Sequence, residues 1–509
     1  MTDSVAAEAP PHRKQESKSY GQILRSTAVI GASYLAVTLI SIVRMKVVAL
    51  LLGPAGVGLM GIYNLIIDLG GSVASMGVAS SGVRQISEAN GSGDSRRIGM
   101  TVVAVKWLSA ALAVTGALVL IALSVPVSWL TFGTDLQAMA IAVLGIGVLF
   151  RVVGTAQITI LQGLRRTRDL ALANIASTLT GAIATVAFIA WLGEKGIAPG
   201  LMLGLAAAFV TAVLFSRRVS IAPVSRREAI RDQARPLFRL GFVFMTSALL
   251  TTGSAYLIRI IVLHADGVHA AGLYQSAWGI AALYAGFVLQ AMGTDFYPRV
   301  TEVASNNAEV NRLVNEQARV SLLLAGPGVI ATISLAPLVL SIFYSSAFVE
   351  AQALLRWICL GMMLRVVAWP MGFIVLAKGA ERPFFWTELA AAAVQVGLAA
   401  VLVPWIGVDG AGLAFVGLYV WHTGIIYLVA RSLSGFRWSH GNGLLTLVYL
   451  AATALALGGS FLLDFWPATA LGVILAGATG LYSLREVLLL APEVVPKPLR
   501  PLVARLEKR

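Results

Sequence analysis

The sequence is poor in charged residues and in cysteine. Only 12% of its 509 residues are Asp, Glu, Lys or Arg, whereas soluble domains carry roughly 25%. Its single cysteine, Cys359, excludes an intramolecular disulfide and a thiolate metal cluster. Because 58% of the residues are hydrophobic, we predict an integral membrane protein, with no metal site and no cofactor.

The sequence also lacks the parts of a membrane enzyme. No G-x-x-x-x-G-K-[ST] motif occurs, which excludes an ATPase of the P-loop type within this chain. The loops predicted on the outer face are short, and membrane glycosyltransferases and polysaccharide polymerases usually need a large one there. We therefore predict that the protein is not an enzyme.

Long apolar runs are abundant instead. A transmembrane helix needs about 20 consecutive apolar residues, and fourteen runs reach this length: 27–52, 57–83, 98–124, 137–163, 170–192, 197–216, 237–263, 270–296, 320–344, 350–377, 384–405, 410–430, 442–463 and 467–489. The polar residues 1–26 precede a full-length run, so we expect a cytoplasmic tail there and not a cleavable signal peptide.

The basic residues sort by side of the membrane. With the N-terminus inside, thirty of the 38 Lys and Arg fall in the predicted cytoplasmic segments, and Lys195 alone falls in an outer loop. This follows the positive-inside rule. The net charge of +14 is therefore a signal of topology and does not indicate a nucleic-acid partner. We predict a multi-pass protein of the bacterial inner membrane with both termini in the cytoplasm.

A short internal repeat suggests two similar halves. Gly61-Ile62-Tyr63-Asn64 begins the second predicted span, and Gly272-Leu273-Tyr274-Gln275 begins the eighth, 211 residues later. Six spans per half give both halves the same orientation, so the repeat is parallel. We predict an all-α fold of about fourteen transmembrane helices, with two six-helix lobes around a central cleft and two further helices. The predicted segments are an N-terminal tail (1–26), an N-lobe (27–216), a basic cytoplasmic linker (217–236), a C-lobe (237–433), helices 13 and 14 (434–489) and a C-terminal tail (490–509).

Several basic residues lie inside the predicted spans. Charged side chains in a membrane face the protein interior or a wet cavity, and they are functional candidates by default. Six of them are predicted to form a cationic, substrate-binding cleft: Arg44, Lys46, Arg151, Arg259, Arg356 and Arg365. Arg151 and Arg365 are the deepest. Arg44 and Lys46 are about 200° apart around a helix, so only one of them can face the cleft squarely.

The intramembrane acids considered are Asp68 and Asp295, which are candidates for ion coupling or for a structural ion pair. Asp68 is similar in depth to Arg44 if the first two spans form a hairpin. Basic residues outnumber these acids, and a positive potential in a low-dielectric cleft attracts an anion. Arginine in particular binds phosphate in a bidentate manner.

Residues 51–89, LLGPAGVGLMGIYNLIIDLGGSVASMGVASSGVRQISEA, resemble the amino-terminal signature of Wzx-type translocases for O-antigen and enterobacterial common antigen. These belong to the polysaccharide-transporter branch of the multidrug/oligosaccharidyl-lipid/polysaccharide (MOP) exporter superfamily. The resemblance implies a flippase for an undecaprenyl-pyrophosphate-linked oligosaccharide in lipopolysaccharide biosynthesis. It further implies alternating access, a coupling ion (H+ or Na+), contact of the polyprenyl chain with the lipid bilayer, and a polysaccharide polymerase and a chain-length regulator as partners.

Two related functions stay open on the sequence. The lipid II flippase of peptidoglycan synthesis also has fourteen spans and an arginine-bearing cavity, although the GPAGVGLMG segment favours the Wzx type. A cation-coupled multidrug exporter of the same superfamily usually has twelve spans and requires acids for cationic drugs, whereas this membrane region is basic.

Overall fold

The computed structural model describes residues 11–291 and 296–490, and no strand occurs within these ranges. Asp295, residues 1–10 of the predicted N-terminal tail and nearly all of the predicted C-terminal tail lie outside the described residues. The first helices are α1 (Pro11–Ser75), α2 (Val78–Gly91), α3 (Ser95–Ala122), α4 (Ser124–Phe132), α5 (Ala138–Gly163), α6 (Thr167–Leu192), α7 (Ile197–Ser216) and α8 (Arg226–Ala291). They are followed by α9 (Tyr297–Glu302), α10 (Asn307–Ser334), α11 (Ala336–Phe343), α12 (Gln352–Ala377), α13 (Glu381–Ile406), α14 (Asp409–Ser434), α15 (His440–Leu462) and α16 (Phe465–Leu490).

The longest helices are interrupted by glycines. Helix α1 breaks at Gly53, where φ is 63°, and Pro54 begins its second part. Helix α8 breaks in the same manner at Gly267, where φ is 81°. Glycine adopts positive φ without a steric penalty, and proline is well suited to the first position of a helix because its missing N–H has no partner there. Glycine therefore permits the positive φ at both breaks, and Pro54 additionally favours the start of the second part of α1.

The helices are long and apolar enough for a multi-pass membrane protein. Ten helical stretches qualify as membrane spans within the described residues, or eleven if α10 and α11, bent by 92°, form one span. Three stretches contain 45, 50 and 58 residues. At 1.5 Å per residue these measure roughly 70–90 Å, whereas the hydrocarbon core of a bilayer is about 30 Å thick. Each stretch contains a glycine break, and the count of fourteen spans stays a prediction.

The chain forms two compact units. Among the described residues, the first comprises those up to Leu51 together with Tyr63–Thr252, and the second comprises Leu52–Ile62 and those from Gly253 onward. In the first unit α3 packs on α5, and both α5 and α6 pack on α7. In the second unit α10 packs on α12, and both α12 and α13 pack on α14. The order of helix contacts is thus the same in both units.

The two units also agree in register. Helices α5 and α12 both contain 26 residues and begin 214 residues apart, as do α6 and α13. Positive φ angles recur at the same offset, at Arg165 and Gly379 and again at Gly193 and Gly407. Gly53 and Gly267, at the breaks of α1 and α8, are also 214 residues apart, so the offset of 211 between the two Gly-x-Tyr motifs differs from the common register. The lobe boundaries themselves stay a prediction.

Helices α6 and α7 approach closely because small residues face each other. A Cβ atom at Gly204 would lie 2.9 Å from the carbonyl oxygen of Gly181, and one at Gly200 would lie 3.0 Å from that of Thr185. Such glycine contacts are common between membrane helices, where packing of the backbones replaces the hydrophobic effect. This helix pair forms one wall of the cavity described next.

Candidate functional site

A cavity of about 440 Å³ lies within the first unit, between α1, on both sides of its break, and helices α5, α6 and α7. Two cations, Arg44 and Arg151, line it, and none of its lining residues is acidic. Its other polar lining residues are Ser41, Asn64, Thr155, Asn174, Ser177, Thr178 and Thr185. The cavity therefore combines positive charge with uncharged hydrogen-bonding groups.

Arg44 is supplied to this cavity by α1. Its side chain is half-buried, and its Nε is buried with no hydrogen-bond partner among the described residues. No carboxylate of the described residues lies within 4.0 Å of it either. A partly buried guanidinium whose Nε is buried without a partner is costly when no counter-ion is present. An anionic ligand in the cavity would supply the missing partner.

Arg151, on α5, is held by an ion pair. Its Nη2 donates to Oδ1 of Asp68 at 3.0 Å, and both side chains are about half exposed. Asp68 borders a second cavity of about 370 Å³, and this cavity also contacts Arg151 and Thr155. Arg151 thus lies between the two cavities. The similar depth of Arg44 and Asp68 in the membrane suggested that these two residues pair. In the structure Asp68 pairs with Arg151 instead.

The hydroxyl groups that line the cavity share one hydrogen-bonding role. Each of the five donates its proton to a backbone carbonyl: Ser41 to Val37 (2.8 Å), Thr155 to Arg151 (2.8 Å), Ser177 to Ala208 (3.2 Å), Thr178 to Asn174 (2.8 Å) and Thr185 to Gly200 (3.1 Å). A hydroxyl used in this way keeps acceptor capacity for a ligand. Donors come from the arginines and asparagines, so the cavity suits an anion next to a sugar, whose hydroxyls are donors.

Lys46 does not line this cavity, although it is only two positions from Arg44. It is half-buried and has a polar or electrostatic partner. This agrees with the separation of about 200° between the two side chains around the helix. In the structure Arg44 is the member of the pair that reaches the cavity.

Arg259 belongs to the second unit and contacts the repeated motif there. It is buried, donates from Nη2 to the side-chain oxygen of Gln275, and lies with Cζ 5.6 Å from the ring centre of Tyr274. Both partners come from the Gly-Leu-Tyr-Gln sequence. The structure therefore gives Arg259 a local packing role, and its assignment to a substrate cleft stays a prediction.

Arg356 has a contact that explains its burial. Its Nε donates to the carbonyl oxygen of Ile333 at 3.2 Å, one residue before the end of α10. The residue four positions after Ile333 is Pro337, which has no N–H to continue the helical ladder. Arg356 supplies the missing donor at the 92° bend between α10 and α11. Its place in the substrate cleft stays a prediction.

Arg365, on α12, lies with Cζ 4.0 Å from the ring centre of Trp369. Glu388 of α13 interacts electrostatically with it. Glu388 was not among the predicted intramembrane acids, which were Asp68 and Asp295. The signal was present, since Glu388 lies inside the predicted span 384–405.

The glycines of the GPAGVGLMG segment have a steric role. A Cβ atom at Gly61 would lie 2.9 Å from the side-chain oxygen of Gln275, and one at Gly58 would overlap the backbone of Val268 and Gly272. Conversely, a Cβ at Gly272 would overlap the carbonyl oxygen of Pro54. The segment and the start of the second part of α8 therefore pack backbone against backbone within the second unit.

The sequence profile of a family described as "Polysaccharide biosynthesis protein" matches residues 47–353. The match spans more than half of the chain and includes the GPAGVGLMG segment and Arg151. The chain belongs to this family.

The most informative sequence relatives are two flippases. The lipid III flippase of Escherichia coli (strain K12) is 22% identical over 382 residues, which cover 74% of this chain and 90% of that protein. The lipid III flippase of Shigella flexneri matches over the same length with the same identity. Both relatives are named as lipid III flippases.

Solved structures share the fold. An inward-facing multidrug resistance MATE family transporter of the MOP superfamily matches with a TM-score of 0.65 at 18% identity, covering 78% of this chain and 95% of its own. The lipid II flippase MurJ in an inward closed conformation matches with a TM-score of 0.68 at 12% identity, covering 90% and 98%. These structures confirm the all-α, multi-pass fold, and the family match confirms the resemblance at the level of the polysaccharide biosynthesis family.

Proposed function

We propose that this protein flips an oligosaccharide linked to undecaprenyl pyrophosphate from the cytoplasmic to the outer face of the bacterial inner membrane. One observation carries the proposal: the cavity of about 440 Å³ in the first unit is lined by Arg44 and Arg151 and by no acid. The two lipid III flippases that match most of the chain support it.

The cavity has the chemistry that a lipid-linked glycan requires. A pyrophosphate is costly to move into a low-dielectric region unless cations compensate its charge. Guanidinium groups do so with fixed, bidentate geometry. The volume of about 440 Å³ falls within the roughly 300–1,000 Å³ of sites for small ligands. It accommodates a pyrophosphate and the first sugar, while the polyprenyl chain remains in the bilayer.

The transport cycle follows from the repeat. Alternating access exposes the site first to the cytoplasm and then to the outer face, with both chain termini in the cytoplasm. The flipping is not an enzymatic reaction, and a gradient of H+ or Na+ drives it. On the outer face the glycan passes to a polysaccharide polymerase and its chain-length regulator.

A lipid II flippase is the second candidate, because the MurJ structure matches 90% of this chain. Both substrates carry a pyrophosphate and differ in the attached glycan, so the two candidates predict the same cationic cavity. An exporter of cationic drugs is disfavoured, since Arg44 and Arg151 would repel its substrate.

The experiment uses the full chain in proteoliposomes with a fluorescent glycan on a polyprenyl pyrophosphate. A membrane-impermeant quencher reports how much glycan remains on the outer leaflet. We expect the protein to speed up the exchange between leaflets, and to move an O-antigen-type repeat unit faster than lipid II. Exchange at the rate of protein-free liposomes would contradict the proposal, and faster movement of lipid II would favour the second candidate.

A further inference from the structure

The second cavity of the first unit adjoins the cavity of about 440 Å³ that Arg44 and Arg151 line, here called the cationic cavity. Its volume is about 370 Å³, and it lies between the second part of α1, the start of α2, helix α5 and residues 244–252 of α8. Because it contains Asp68, we call it the Asp68 cavity. Among the described residues, the two linings share Arg151 and Thr155. A ligand with a pyrophosphate at one end can therefore pass Arg151 and extend from one cavity into the other.

The Asp68 cavity is rich in hydrogen-bond acceptors. Oδ1 of Asp68 accepts from Arg151, and Oδ2 accepts no hydrogen bond from the described residues. The hydroxyl of Ser72 donates to the carbonyl oxygen of Asp68 at 2.7 Å, and that of Ser75 donates to the carbonyl oxygen of Ser72 at 3.2 Å. The hydroxyl of Thr155 is used in the same way. Each of these oxygens keeps lone pairs for a ligand, so the ligand must bring the donors.

The two cavities therefore suit different chemical groups. In the cationic cavity the charged residues are Arg44 and Arg151, which match a pyrophosphate because its oxygens are acceptors. In the Asp68 cavity one carboxylate and one guanidinium compensate each other. A sugar hydroxyl donates to a carboxylate, whereas the carboxylate of an acidic sugar is repelled by it. The Asp68 cavity thus suits neutral sugars.

The apolar wall of the Asp68 cavity comes from α8. Phe244, Met245 and Ala248 line this side, and Phe244 is 40% exposed. An exposed aromatic ring offers a flat apolar surface with a negative face, against which the C–H groups of a sugar ring pack. A sugar has both such C–H surfaces and hydroxyl groups. Phe244 from α8 and the acceptors Asp68 and Ser72 from α1 match these two kinds of surface.

The turn between α1 and α2 holds this wall in place. Met76 has a φ of 44° and Gly77 a φ of 67°, so two successive residues adopt the left-handed conformation. A Cβ atom at Gly77 would overlap the carbonyl oxygen of Gly241, and one at Gly241 would overlap that of Met76. A methionine in this conformation is strained, and such strain is concentrated at ligand sites. Because Phe244 follows Gly241 by three residues, this backbone contact preforms the cavity.

We propose that the Asp68 cavity is the glycan subsite of this transporter and that it selects neutral sugars. The inference rests on the proposed function, since it assigns a place to the sugars of the same substrate. The pyrophosphate and the first sugar occupy the cationic cavity, and the sugars that follow extend past Arg151. Oδ2 of Asp68 and the hydroxyl oxygen of Ser72 accept from sugar hydroxyls, and the ring of Phe244 packs against the sugar. Oδ1 of Asp68 continues to position Arg151.

The first experiment compares three probes by titration calorimetry on the purified full-length protein. They are farnesyl pyrophosphate, cellobiose linked to farnesyl pyrophosphate, and the same disaccharide with glucuronic acid as its second sugar. The wild type should bind the neutral disaccharide probe at least about tenfold more tightly than either of the others, which corresponds to about 1.4 kcal/mol. Equal affinities for the three probes, or a preference for the acidic one, would overturn the proposal.

Two variants test whether this selectivity arises in the Asp68 cavity. Phe244→Ala should lose at least about tenfold in affinity for the neutral disaccharide probe and keep the wild-type affinity for farnesyl pyrophosphate. Phe242→Ala is the matched control, because Phe242 is 57% exposed on the same helix and does not line the cavity. Asp68→Asn removes the negative charge and should bind the neutral and acidic probes equally. Equal losses in Phe244→Ala and Phe242→Ala, or a preference for the neutral probe retained in Asp68→Asn, would contradict the assignment.

The outcomes separate this inference from the proposed function. If the wild type moves a polyprenyl-linked glycan in proteoliposomes but shows no sugar preference, the flippase function stands and the glycan subsite is wrong. If the wild type binds none of the lipid probes and moves no glycan, the proposed function fails. Methyl cellobioside, a sugar without a pyrophosphate, then tests the cavity alone. Binding that Phe244→Ala abolishes would support a sugar site, and no binding would overturn it.

Discussion

Nη2 of Arg151 donates to Oδ1 of Asp68 at 3.0 Å, and the same arginine borders the cavities of about 440 Å³ and 370 Å³ in the first unit. A guanidinium has five N–H donors, so this bond fixes the side chain and leaves donors for a ligand. Under the proposed function, Asp68 is therefore a positioning residue, and Arg151 is the residue proposed to contact the substrate.

This relationship predicts unequal effects of removing the two partners. Loss of a hydrogen bond to a charged group costs about 1.5–3 kcal/mol, so Arg151→Gln should slow flipping by at least about tenfold. Asp68→Asn keeps an acceptor and should slow it less. Both rates are measured in proteoliposomes with equal amounts of protein. Arg84→Gln, which breaks an exposed pair with Glu88, is the control and should have no effect. Equal losses in both cavity variants would contradict the assigned roles.

Arg44 and Lys46 should also differ, although they are two residues apart. Arg44 lines the cavity and Lys46 does not. Arg44→Gln should therefore weaken binding of a polyprenyl pyrophosphate by about tenfold or more, on the same scale of about 1.5–3 kcal/mol. Lys46→Gln should leave the affinity within a factor of about two. Titration of the purified variants measures this, and a reversed order of the two effects would mean that Lys46 is the ligand.

The membrane architecture could be predicted from the sequence because the signals for it are strong. Apolar length, loop charge and the glycine breaks at Gly53 and Gly267 depend on local chemistry alone. Helical geometry also predicted that only one of Arg44 and Lys46 faces the cavity. The sequence did not reveal the partner of Asp68, because depth along a hairpin does not say which of several neighbouring helices faces a side chain.

The role of Arg356 shows the other limit. A buried arginine in an apolar helix is a functional candidate by default. The partner of Arg356, however, is the carbonyl oxygen of Ile333, which Pro337 leaves without a backbone donor. Arg356 can donate to this carbonyl only after α10 and α12 have packed together. Similarly, Glu388 corresponds to Asn174 only through the common register of α13 and α6, which the structure shows.

Arg356→Met should therefore destabilise the protein without impairing transport by the molecules that fold. An unsatisfied buried carbonyl costs about 1–3 kcal/mol, so the melting temperature in detergent should fall. Arg356→Lys, which keeps a cationic donor, should recover part of it. Flipping per folded molecule should stay near that of the wild type. Lost flipping at an unchanged melting temperature would instead place Arg356 in the substrate cleft.

The close packing of the glycine segment predicts a position-specific effect within α8. At Gly272 an added methyl group meets the backbone of Pro54 and Gly58, which have no side-chain freedom to yield. Overpacking of this kind costs about 1–3 kcal/mol, so Gly272→Ala should lower the melting temperature. Gly253→Ala is the matched control, because no atom lies within 4 Å of the added Cβ. A similar melting temperature for both variants would contradict the backbone contact.

The central claim is that Arg44 and Arg151 receive the pyrophosphate, and its most direct measurement is the affinity for farnesyl pyrophosphate by titration calorimetry. The wild-type protein should bind farnesyl pyrophosphate and not farnesol, and the Arg44→Gln/Arg151→Gln variant should lose at least about a hundredfold in affinity, corresponding to about 2.7 kcal/mol. An unchanged affinity in the double variant, with the protein still folded, would contradict the account.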